Sequence, residues 1–220
     1  MSNGRHVPRR PAHFGPEAME AHGGTTPGPA EQTEIAHQTA AIIVGTGRAT
    51  HDPAITQRLI TLVDELGLST VAHVWADRPA RSLPGALWRL YALREWVQRR
   101  PDQAAREYAA GIRHTDVNHA VAGVPEPPGP EEVQCLADTI LRGVFDGDLA
   151  LALERAAAFC SVVSAGRADL AGDDWDPYNP VPSPPGARGP SADTRRAAAM
   201  LQTSRDLHAC ASLWRAGELT

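Results

Sequence analysis

From residue 52 to residue 166, apolar side chains return every three or four positions, the spacing of helices that bury one face. Asp52-Pro53 reads as an N-cap followed by the proline that suits a first helical turn. ITQRLITLVDEL follows it to a stop at Gly67. Ser69 is placed to cap a short helix to about Asp77, and Ser82 precedes a long one, LPGALWRLYALREWVQRR, halted by Pro101. PDQAAREYAAG supplies a helix ending at Gly111, and TDVNHAVAG a shorter one before the rigid break VPEPPGP. EEVQCLADTILRGVF and DLALALERAAAFCSVV are then separated by Asp146-Gly147, with Asp148 capping the second. Ser191 caps a last helix to about Arg215. The pattern predicts an all-α fold, a single domain of about seven or eight helices.

Two of these helices are apolar nearly all round. At 100° per residue, Leu83, Ala86, Leu87, Leu90, Tyr91, Leu93 and Val97 share a broad arc, and Trp88, Ala92 and Trp96 lie opposite. In the helix at 148–164, Leu149, Leu153, Ala156, Phe159 and Cys160 form one face while Leu151, Ala158 and Val162 form the other. Helices of this kind are central, so these two are expected to form the spine. Arg94 falls inside the apolar arc of the first. A buried guanidinium left bare costs several kcal/mol, so it must be paired. Glu154 and Asp138 are the partners weighed, and Arg94 with Glu154 stands as the expected buried ion pair, or as the seed of an anion pocket.

The pattern fades at the ends. Residues 1–38 carry Pro, Gly, His and Thr with few β-branched apolar residues and are expected to be a disordered tail. The core domain is set at 39–166, a Pro/Gly-rich linker at 167–190 and the C-terminal helix at 191–220. Within that linker, residues 172–190 hold six prolines and three glycines. Trp175 and Tyr178 lie there, where large aromatics either dock back on the domain or anchor a protein partner.

Composition removes chemistries. All 21 basic residues are arginine and none is lysine, so a P-loop, a kinase third-strand lysine and a Schiff base are excluded. Arginine without lysine in an alanine-rich chain reflects a G+C-rich genome. The net charge of −5 is unsuited to coating nucleic acid or anionic membranes. Cys135, Cys160 and Cys210 lack CxxC spacing and read as reduced thiols, two of them in apolar helical segments. No apolar run approaches the roughly 20 residues of a membrane span, which points to the cytoplasm and away from a membrane.

Motifs add little. Ile42-Ile43-Val44-Gly45-Thr46-Gly47 lacks the third glycine and the second strand of a dinucleotide loop and reads as a turn from tail to domain. His114 and His119, five apart, cannot share a metal on one helix. There is no GxSxG elbow. No catalytic residue, metal or cofactor is therefore expected. Charge is segregated, however: residues 78–113 hold eight arginines against three acids, and residues 114–166 hold two against eight. The two segments either neutralise each other in the fold or leave Arg99, Arg100, Arg106 and Arg113 on a surface that meets an acidic protein or nucleic acid.

SLPGALWRLYALREW (82–96) and GVFDGDLALALERAAAF (143–159) resemble an uncharacterised family of helical proteins from high-G+C actinobacteria. The resemblance spans roughly residues 53–166, implies a bacterial cytosolic protein and carries over no catalytic residue. The expected function is a non-enzymatic helical module that binds a protein partner. The alternatives are a nucleic-acid-associated regulator using the arginines of 78–113, and a helical enzyme or small-ligand binder with a polar site near Arg94 and Glu154.

Overall fold

A computed structural model describes residues 27–50, 52–123, 128–173 and 192–220. Among the described residues there are ten α-helices and no strand. They are α1 (Pro29–Thr50), α2 (Pro53–Ile60), α3 (Leu62–Leu66), α4 (Leu68–Trp75) and α5 (Leu83–Arg99), then α6 (Pro101–Ile112), α7 (Asp116–Ala122), α8 (Pro130–Asp146), α9 (Leu149–Asp173) and α10 (Ala192–Ala216). The all-α class holds.

Side-chain caps set three of the helix starts. Asp52 accepts the Ala54 amide at 2.8 Å, Ser82 accepts that of Gly85 at 3.2 Å, and Asp148 accepts that of Ala150 at 2.8 Å. Ser69 caps nothing: α4 starts one residue earlier, with Gly67 at its head in a positive-φ conformation (φ 82) that favours glycine. The single helix expected from Ile55 to Leu66 is interrupted at Thr61.

The largest departure is at the start. Residues 29–38, expected in the tail, are the first half of α1, and Gly45-Thr46-Gly47 is helix interior where a turn was expected. Ala36, Ala40, Val44 and Gly47 form a narrow buried stripe of small residues. Gly47 is needed because a Cβ there would press on Phe145 at 2.8 Å. At the other end, residues 167–173, expected in the linker, complete α9. Residues 1–26 and 174–191, with most of the expected tail and linker, lie outside the described residues.

Helix α9 is the central element, packed against α6, α7, α8 and above all α10. Its stretch Leu149–Ala171 is, contrary to expectation, long and apolar enough to cross a membrane, and 72% of its 18-residue apolar window is buried inside the protein. Helix α5 packs against α1, α4, α6, α8 and α10, and the last three, which also touch α9, connect the two helices expected as the spine. Tyr91, Tyr108, Phe145 and Phe159 are the largest fully buried side chains. Where α6 crosses α9 the backbones nearly touch. A Cβ on Gly111 would overlap the Val162 carbonyl, and one on Gly166 would overlap that of Glu107. Cys160 and Cys210 are buried, whereas Cys135 is exposed.

Candidate functional site

Arg94 is buried, with 7% of its side chain exposed, but Glu154 is not its partner. Its Nε donates to Asp138 at 2.7 Å and a terminal nitrogen reaches Asp64 at 3.2 Å. Gln98 donates to the same Asp138 oxygen at 3.2 Å and accepts from Gln134 at 2.9 Å. The network ties α3, α5 and α8 together. Burial pulls the Arg94 pKa down, and the bonds to Asp138 and Asp64 more than restore it, so the guanidinium stays charged. Glu154 points elsewhere, to a bidentate clamp with Arg215 at 2.5 and 2.8 Å. That clamp holds its carboxyl below the usual range. The expected pair is thus two separate pairs.

The four arginines expected on one face differ in their freedom. Arg99 is paired with Glu95 at 2.5 Å, and Arg113 with Asp169 at 2.7 Å, where His114 also arrives at 3.0 Å. Arg100 and Arg106 are exposed and form no ion pair among the described residues. Among the described residues Arg94–Asp138 is the ion pair that joins segments 78–113 and 114–166; Arg99–Glu95 lies within the first, and others, such as Arg81–Asp206 and Arg167–Glu107, reach beyond both. Trp175 and Tyr178 lie outside the described residues.

Sequence reasoning missed an apolar groove of about 520 Å³ between α1, the start of α5 and the end of α10. Ala41, Val44, Leu83, Trp214 and Leu219 line it, with His37, Gln38 and Arg48 at its edge. Thr220 closes one end by accepting the Leu83 amide at 2.8 Å, one of the amides a helix start leaves without an internal partner. Arg48 lies over the Trp214 ring at 5.6 Å and pairs with no carboxylate among the described residues. Ile35 and Ile42, seven apart, stand on the solvent side of α1, and Ile42 is 64% exposed. The Ile35/Ile42 spacing was legible, but the segment around it had been read as tail and turn.

Groups with catalytic reactivity are subdued. Burial pushes the Cys160 thiol up to about 12 and the Cys210 thiol up to about 11, so neither supplies thiolate near neutral pH. Tyr108 donates to or accepts from His119 Nδ1 at 3.0 Å, and burial raises its phenol, as it does that of Tyr91 bonded to the Leu59 carbonyl at 2.6 Å. Among the described residues no three His, Cys, Asp or Glu side chains converge as metal ligands. Compared with known proteins, the chain matches no family model, no curated protein and no solved structure.

Proposed function

We propose that the chain is a non-enzymatic, cytosolic helical module that docks a protein partner on α1. The observation that supports this reading is the α1/α10 groove beside the outward Ile35/Ile42 stripe. Exposed apolar side chains bordering an apolar concavity mark interaction sites. The occupant that fits is an amphipathic helix with an apolar stripe and an acidic residue, its apolar side chains along Ala41 and Val44 and its carboxylate on Arg48. Arg48 over an indole is a hot-spot arrangement, because both groups gain when water leaves. Capture must be native or use chemistry other than amines, since no lysine is present. A discrete partner captured by the native chain and lost by both Ile42→Glu and Arg48→Glu supports the reading. Capture unaffected by these two substitutions overturns it.

The nucleic-acid reading keeps Arg100 and Arg106 as its unpaired cations. Two phosphate contacts would give a salt slope of about −2, far shallower than a dedicated DNA-binding surface. A slope several times steeper would favour nucleic acid over a protein partner. The likeness of 82–96 and 143–159 to helical proteins of high-G+C actinobacteria fits a bacterial cytosolic setting and stays part of the proposal.

A further inference from the structure

A second concavity, of about 550 Å³, lies on another face, between α7, α9 and α10. Its floor is made of small side chains, Ala157, Ala158 and Ser204, because α9 and α10 pack closely there. Ser204 turns its hydroxyl into the floor, donating to the Ala157 carbonyl at 2.7 Å, and so offers the cavity little. The walls carry the chemistry. Asn118 on α7 donates to the Ser161 hydroxyl on α9 at 3.0 Å, and both polar side chains line the cavity, with the amide oxygen and the serine proton still able to bond. Val121 on α7 and Leu201 on α10 add apolar surface to the lining. Arg205 on α10 is exposed, lines the cavity and has no partner among the described residues. His208 lies one turn further along the same helix.

Charge decides the class of ligand. Glu154 also lines the cavity, but Arg215 clamps it with two bonds. The pair is neutral, which leaves Arg205 as the single permanent unbalanced charge. A dianion such as a phosphate monoester would bring one charge more than Arg205 offsets and would set it near Glu154. A monoanion is matched. The volume exceeds that of an inorganic ion, and the apolar walls favour a carbon body.

We propose that this groove binds a small organic monocarboxylate with a short aliphatic or aromatic body. The carboxylate sits on the Arg205 guanidinium, the body lies between Val121 and Leu201, and any hydroxyl or carbonyl on it meets Asn118 and Ser161. This site is separate from the α1 groove, so either reading can fail without the other.

The test is a titration of the isotope-labelled full chain with sodium hexanoate, followed by amide and arginine Nε–H shifts in NMR. Saturable shifts at Asn118, Ser161, Leu201 and Arg205 are expected. Arg205→Ala, an exposed substitution, should weaken hexanoate at least ten-fold with an unchanged melting temperature. Hexanol, with the same body and no charge, should bind at least ten-fold more weakly, as should inorganic phosphate. Arg48→Ala in the other groove should leave the affinity unaltered. Shifts that do not saturate, that hexanol reproduces, that survive Arg205→Ala or that vanish with Arg48→Ala would each overturn the proposal.

Discussion

Arg94 and Arg167 each carry a guanidinium into the apolar interior, and their partners differ in how much water they keep. Asp64 and Asp138 are 49% and 36% exposed in their side chains, so they remain hydrated if Arg94 is lost. Glu107, which meets Arg167 at 2.5 Å, is only 9% exposed, takes a further bond from Gln103 at 2.7 Å, and has Trp96 beneath its arginine at 4.7 Å. Arg94→Met should therefore cost little, on the order of 1 kcal/mol, whereas the Asp64→Ala, Asp138→Ala double variant strands the buried cation and should cost about 3–5 kcal/mol in urea melts. Arg167→Met should resemble the second, because Glu107 is the group left buried. The apolar arc around Arg94 announced that it would be paired, and Asp138 was among the partners weighed. Asp64 was not, because the tertiary fold, and no spacing along the chain, brings it to Arg94.

The buried thiols fix a pH limit at the same scale. Cys160 and Cys210 ionise at about 12 and 11 in the fold, above the value near 9 of an unfolded chain. The folded state thus holds protons that the unfolded state releases, and stability falls as pH rises from about 9 toward 11–12. Tyr91 and Tyr108 act in the same direction above pH 10. Denaturant midpoints measured from pH 7.5 to 10.5 should hold to about pH 8.5 and then drop with increasing slope for the native chain. The drop should be visibly shallower for Cys160→Ala, Cys210→Ala, although that variant starts from a lower midpoint.

Among the elements, the helix starts that a side chain caps were easy to read, and the uncapped starts and the helix lengths were not. Asp52, Ser82 and Asp148 are short-range signals, each acting on an amide two or three residues away. Asp52→Ala and Asp148→Ala should each cost about 1 kcal/mol by thermal or urea melts. The first half of α1 eluded the pattern because the one residue it buries, Ala36, carries little hydropathy but allows close packing. The α6/α9 crossing follows the same logic. Gly111→Ala and Gly166→Ala place a methyl group against backbone carbonyls that cannot turn aside, and each should cost about 3 kcal/mol or more. Gly143→Ala on α8 meets only the Ala152 methyl at 3.3 Å and gains helix propensity of up to about 1 kcal/mol, so its melt should move little or upward.

For the whole molecule, the class and the centrality of α5 and α9 were legible in the apolar arcs, while the grooves were not. Each groove is walled by helices far apart in sequence, α1 with α10 in one and α7 with α10 in the other. Helix α10 is common to both and packs closely on α9, where Ser204 donates to the Ala157 carbonyl and Ser164 to that of Ala197. Destabilising α10 with Leu207→Ala should weaken protein capture and hexanoate binding together, which Ile42→Glu or Arg205→Ala should not; the two assays run side by side on the three variants check this.

The glycine crossing bears on how this sequence can drift. At most buried positions a lineage can exchange one apolar residue for another through a series of tolerated neighbours. At Gly111 and Gly166 even the smallest step adds a carbon where the facing helix's backbone already lies. Neither site therefore has a neutral path out, and a double exchange is worse than a single one. In a saturation library selected for folded protein, these two positions should return glycine alone, while Gly45 on the open side of α1, with nothing within 4 Å of its missing Cβ, should accept most residues.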